Sequence, residues 1–166
     1  GNGSAACSIS DFGYSTLVSS TEPSWRQHFS IAHELFHLIT WDSGLLKQVT
    51  SDKTLWDRNE SLANSFAAGL LVPSEALKRE IRTLSKDNAL SDASIVAMAR
   101  QFGVSLEALL WRMASLNFVA RETVKKALAD EELRTLDKVI RSQNPALQTL
   151  TKSDRFLRLA YVAYEN

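Results

Sequence analysis

Between residues 12 and 19 the side chains alternate, with Phe12, Tyr14, Thr16 and Val18 against Gly13, Ser15, Leu17 and Ser19. The stretch is small, β-branched and aromatic and carries no helix caps. A period of two in such a stretch predicts one strand or a short hairpin within residues 5–20. Glu22-Pro23-Ser24 ends it, and Ser24 followed by Gln27 fits a capping box. The period then changes to that of a helix. Trp25, Phe29, Ala32, Phe36 and Ile39 fall on one stripe, which predicts a helix to about Trp41. Asp42-Ser43-Gly44 closes it, with Gly44 suited to the left-handed terminal position.

Residues 43–54 are polar and read as a loop, and a second helix follows over roughly 55–72. Its small residues Ala63, Ala67 and Ala68 allow another helix to come close. Pro73-Ser74 breaks that helix and caps a third, striped by Leu77, Ile81 and Leu84, and residues 85–91 form a polar connector. Residues 95–113 carry helix-turn-helix punctuation. Ala99 packs the crossing, Gly103 makes the turn, Val104 enters the core and Ser105 caps the second helix. Residues 120–142 are rich in charge but keep a Val124, Leu128, Leu133, Leu136, Ile140 stripe. They read as one or two surface helices with a solvated face, or with a stripe that docks a partner or a further domain. Pro145 interrupts, and Ser153-Asp154 caps a last helix. The pattern predicts a mostly helical α+β fold without internal repeats.

Composition narrows the possibilities. A chain of 166 residues holds one domain or one and a half and can bury a real core. Nineteen basic side chains balance nineteen acidic ones, so there is no bulk attraction for nucleic acid or membrane. No apolar run approaches the ~20 residues of a membrane span, and no signal peptide is visible. The single cysteine, Cys7, excludes an internal disulfide framework and suits a cytoplasmic location. It reads most simply as a small buried apolar residue. The chain opens Gly-Asn-Gly-Ser without a methionine, and residues 156–164 read as a helix still running at the end. Both ends suggest a piece of a longer protein.

The chemistry concentrates in His33-Glu34-Leu35-Phe36-His37, an HExxH pattern. Residues four apart share a helix face, so His33 and His37 can reach one ion together. Glu34, at the edge of that face, can touch a water on the ion without being a ligand. This is the zincin arrangement of two neutral imidazoles on Zn²⁺ with a glutamate as general base. The chain has three histidines, and two stand in this register. His28, far round the helix, is not expected to be a ligand. Glu60 on the second helix can complete a His₂Glu set with a position left for water; the alternative is a solvated carboxylate at a helix start. Asn64, one turn on, can hold the outer nitrogen of a ligating histidine or Glu60 itself, or simply face solvent. The predicted strand offers an edge on which a substrate peptide can pair, or a covered edge with no ligand. Tyr14, Tyr161 and Tyr164 are candidate oxyanion donors by chemistry alone. The helix-turn-helix shape invites a DNA-binding reading, but between Ser105 and Leu116 stand one cation, Arg112, and one acid, Glu107. A helix that reads a major groove needs more polar and cationic side chains than that, so a structural or protein-contact role fits better.

Arg26-Gln27-His28-Phe29-Ser30-Ile31-Ala32-His33-Glu34-Leu35-Phe36-His37, followed by Glu60-x-x-Ala63-Asn64-x-Phe66-Ala67-Ala68-x-Leu70-Leu71-x-Pro73, resembles the ImmA/IrrE family of metallo-endopeptidases over about residues 24–117. The resemblance implies His33 and His37 as zinc ligands, Glu34 as catalytic base and Glu60 as third ligand. It implies a minimal zincin-like core with short N-terminal strands and a helix-turn-helix-like unit. The expected organisation is a metallopeptidase domain over 5–117, with its zinc core at 24–80 and the helix-turn-helix-like unit at 91–117, then a C-terminal helical extension over 118–166. Members typically cut a repressor of the helix-turn-helix type in response to stress or mobile-element induction. The expected partner is therefore a protein substrate, with no direct nucleic-acid binding and no membrane. Three positions depart from the family. Phe36 replaces a usual glycine and threatens to crowd the helix against its neighbour, Trp41 replaces a frequent histidine, and Gly69 a frequent glutamate.

Overall fold

The computed structural model describes residues 5–10, 13–41, 48–85 and 89–143. Strands β1 (Ala5–Ser10) and β2 (Gly13–Val18) pair antiparallel as the predicted hairpin, in the register Ala5↔Val18 to Ser10↔Gly13. Helices follow as α1 (Ser24–Thr40), α2 (Lys53–Leu71), α3 (Ser74–Leu84), α4 (Asp92–Gln101), α5 (Leu106–Ser115), α6 (Arg121–Ala129) and α7 (Glu131–Gln143). The architecture is mostly helical α+β, as the pattern predicts. Among the described residues no single helix is long and apolar enough to cross a membrane.

The sheet lies against α1, and α2 packs along α1. That close approach follows from composition, because Ala63 and Ala67 have no exposed surface where the two helices meet. The expected capping box does not form. Ser24 is already helical behind a Pro23 cap, and Gln27 instead donates through Nε2 to the carbonyls of Ser19 at 3.1 Å and Glu22 at 2.9 Å. Its amide meets carbonyl oxygens rather than the cap N–H that a capping box requires, and so ties the strand-to-helix turn. The closing turn at 42–44 lies outside the described residues. Residues 48–51 form a helical turn where a loop was expected, and Val49 is buried there. Asp52 caps α2 by accepting from the backbone N–H groups of Thr54 and Leu55. Ile39 leaves its predicted stripe for solvent and is 61% exposed.

The main core lies in the later helices. Leu77, Val96, Met98, Leu109, Met113 and Val124 form one cluster with Val72 from the end of α2. The helix-turn-helix punctuation holds throughout. α4 and α5 turn through 98°, Gly103 sits at φ +64, Val104 is buried, and Ser105 accepts from Ala108 N–H at 3.0 Å. Only glycine adopts that φ without strain. α6 and α7 place their apolar stripe on this same core, with Val124 and Leu133 buried and Leu128, Leu136 and Ile140 packed against it. Arg141 fixes α7, donating to Val104 O at 3.3 Å, pairing with Asp137 at 2.9 Å and lying 5.0 Å over the Trp25 ring. The expected cap at Ser153-Asp154 lies outside the described residues.

Candidate metal centre

One turn of α1 separates His33 from His37, and their ring centroids stand 4.9 Å apart. α2 brings Glu60 across from them. His33 Nε2 lies 3.2 Å from Glu60 Oε2, His37 Nε2 lies 3.3 Å from Glu60 Oε1, and the two Nε2 atoms are 3.1 Å apart. These edges are close to the ~3.3 Å expected between ligands of a tetrahedral ion at ~2.0–2.1 Å. Two imidazole lone pairs and a carboxylate at these separations repel unless a proton or a cation sits among them. Two nitrogens and one carboxylate oxygen suit a divalent ion of the zinc type and leave a fourth position free. The cluster is closed on the His37 side, which is 3% exposed, and more open at Glu60, which is 32% exposed.

The outer nitrogens are held too. His33 Nδ1 lies 3.0 Å from Asn64 Oδ1. An Nδ1–H donating there leaves Nε2 bare for a metal. His37 Nδ1 lies 3.2 Å from the buried Nδ2 of Asn59, which as placed donates to it. Turning that amide puts its oxygen on Nδ1 and gives His37 the same tautomer. Asn59 was not singled out in the sequence. Its signal was a polar side chain at the head of the Asn59, Ala63, Ala67 repeat, the face of α2 buried between the helices.

Aromatic rings wall the inner side. Trp41 stacks on His37 at 4.2 Å, and Phe36 meets His37 and Phe66, each at 5.7 Å. Phe36 therefore fills space beside the centre without forcing α1 and α2 apart. Burial, and then the neighbouring His33, hold the His37 imidazole below its usual range, with Glu60 and Glu34 opposing. Low basicity keeps it neutral, as a metal ligand must be.

Glu34 is half-buried, one residue from His33 and outside the cluster of His33, His37 and Glu60. Its neighbour is Cys7, which is half-buried on β1 and touches a polar group rather than an apolar one. Burial pushes the Cys7 thiol up to about 12, and the Glu34 carboxylate that accepts its S–H adds to the shift. Of the tyrosines, Tyr14 is 71% exposed on β2, and Tyr161 and Tyr164 lie outside the described residues. His28 is exposed and is not among the ligands.

Beside the centre a cleft of about 710 Å³ opens between α1, α2 and α5. Glu60 and Asn64 belong to its wall, and Trp25, Phe29 and Trp111 supply its aromatic surface. Arg112 crosses from α5 to α2, where its Nε donates to Val72 O at 3.1 Å. Its guanidinium lies over Gly69, 3.7 Å from where a Cβ would stand.

Compared with known families, residues 9–114 match Peptidase_M78, the IrrE N-terminal-like domain. No curated protein and no solved structure matches the chain.

Proposed function

Because the chain belongs to the IrrE N-terminal-like peptidase family, we propose that it is a zinc-dependent endopeptidase. Its substrate would be a protein, a helix-turn-helix transcriptional repressor, whose cleavage in the cytoplasm switches on a stress or mobile-element response. The observation that carries the peptidase reading is the convergence of His33, His37 and Glu60 within ligand distance, with Glu34 one residue from the first of them. The repressor substrate is supported by the family resemblance.

Zn²⁺ held by these three side chains would supply a Lewis acid that polarises a carbonyl and makes water a nucleophile near neutral pH. Glu34 would take a proton from the attacking water and pass it to the leaving amine. Asn64 holds the His33 tautomer from behind, and Asn59 would hold that of His37 with its oxygen turned to Nδ1. The rings of Trp41 and Phe36 keep the inner side dry, so charge at the centre is screened less than in water.

The rival reading, a DNA-binding regulator with a structural metal, gains nothing from α5. Leu106, Leu109, Leu110, Met113 and Ala114 are buried in the core, while Trp111 and Arg112 line the cleft. Little of that helix is left to enter a groove.

The test incubates zinc-loaded protein with repressors encoded beside its gene and compares wild type with Glu34→Gln. Cleavage by wild type alone, with one zinc per chain in each, supports the proposal. Intact repressors with both proteins, together with an unchanged cellular effect of Glu34→Gln, would overturn it.

A further inference from the structure

We infer that the cleft between α1, α2 and α5 is a specificity subsite, taking a large, apolar, non-acidic side chain of the segment beside the scissile bond. This rests on the peptidase reading and extends it. Four observations carry it.

The first is continuity. Glu60 and Asn64 face the metal centre and also line the cleft. A peptide bond at the centre therefore lays its neighbouring residue, ~3.5 Å along an extended chain, at the cleft mouth. The second is size. A volume of about 710 Å³ lies in the range of clefts that enclose a small ligand, enough for one large side chain and its flanking backbone. The third is the wall. Trp25 and Phe29 come from α1 and Trp111 from α5, and Trp111 is 36% exposed although the buried face of its helix is packed. Aromatic faces of this kind favour aromatic and long aliphatic side chains.

The fourth is charge. Of the two cations at the rim, Arg26 pairs with Glu22 at 2.9 Å, while Arg112 gives its Nε to Val72 O at 3.1 Å and keeps its charge. The carboxylates of Asp57 and Glu107 also line the cleft, and that of Glu60 faces the centre. An acidic side chain would meet two like charges against the one of Arg112, whereas an apolar one would lose little on entry. The helix-turn-helix-like unit thereby gains a use that its neutral second helix did not suggest: α5 forms the far wall of the substrate channel.

The experiment uses the full chain, zinc-loaded, in the Glu34→Gln form. The probes are N-acetyl-phenylalanine amide, N-acetyl-alanine amide and N-acetyl-aspartic acid amide, followed through the four tryptophan indole N–H resonances. The phenylalanine amide should move Trp25 and Trp111 and leave Trp41 and Trp56 in place. The alanine and aspartate amides should bind at least about tenfold more weakly. Ser65→Phe substitutes an exposed residue of the cleft wall. It should abolish the indole shifts with zinc content unchanged, and Trp111→Ala should weaken binding about tenfold.

In parallel, wild-type protein is given unfolded casein and its cuts are mapped by mass spectrometry. They should cluster beside Phe, Tyr, Trp, Leu or Met, and Ser65→Phe should flatten that preference. Unmoved Trp25 and Trp111 resonances, or equal binding of all three amides, would overturn the subsite. Indole shifts without any cut by the zinc-loaded protein would instead remove the peptidase reading. Cuts without side-chain preference and with unmoved indoles would remove the subsite alone.

Discussion

Residues 5–72 and residues 74–143 place their apolar side chains in opposite ways. The later helices bury Leu77, Met98, Leu109, Met113 and Val124 in one continuous core. The earlier region buries Ala32, Ala63 and Ala67, with Val49, and Val72 reaching across from its end. Among the described residues, nine of the eleven exposed large hydrophobics lie in that earlier region, from Tyr14 to Leu70. Its helices are held by small-residue contact and by a polar centre. A close helix approach needs alanines, alanines bury little area, and the interior between α1 and α2 is occupied by imidazoles and amides. The region that holds the candidate centre has thus given up core for polar groups, and the second region carries most of the buried apolar side chains.

The comparison can be broken first at the chemistry. Glu34→Gln should lower kcat by ~10²–10⁴-fold, the usual contribution of a general base. Zinc content and melting temperature should stay at wild-type values, since a half-buried carboxylate that is not a ligand is replaced by its isostere. A large fall in zinc content by metal analysis would show that Glu34 ligates the ion.

The next largest effect separates the two regions by stability. Leu109→Ala in the later core should cost ~2–5 kcal/mol in urea unfolding. Ile39→Ala, at a site 61% exposed in the earlier region, should stay within ~0.5 kcal/mol. Similar costs for both would mean that the exposed apolar face of α1 is covered in solution.

The polar centre is sharpened by its amides. Asn59→Ala should weaken zinc binding by ~10–100-fold in a competition titration. Asn64→Ala should cost less, because its contact with His33 is exposed while that of Asn59 with His37 is buried. Equal effects would remove the distinction between the two histidines.

The smallest effect is with pH. Burial holds the His37 imidazole below its ordinary value, so the unfolded chain takes a proton there before the folded one does. Metal-free stability should be full above the usual imidazole range of ~6.5 and decline as pH falls through it toward the lower folded value. Thermal melts from pH 7.5 to 5 should show this, and His37→Gln should flatten the slope.

The His33–His37 pairing was legible because the sequence carries it as a local rule. The four-residue spacing of His33 and His37 fixes a shared face before any tertiary contact exists, and Ser105 and Gly103 announce their turn in the same way. The contacts that were missed are those a helix makes with something else. Asn59 looks like any polar residue until its partner arrives from 22 positions upstream. Gln27 has the residue type of a capping box but found carbonyls of the preceding turn. Cys7 was read as apolar because nothing within the strand shows that Glu34 lies over it. The charged stretch after Asn117 looked like a surface, yet its stripe found the core of α4 and α5.

The Arg112 guanidinium has a mechanical meaning. It grips the last carbonyl of α2, and α2 carries Glu60 twelve residues earlier, ~18 Å along a stiff rod. One side chain thereby both lines the cleft and anchors the helix that carries Glu60. Arg112→Met would release that anchor, and backbone amides at the C-terminal end of α2 should then exchange hydrogen faster.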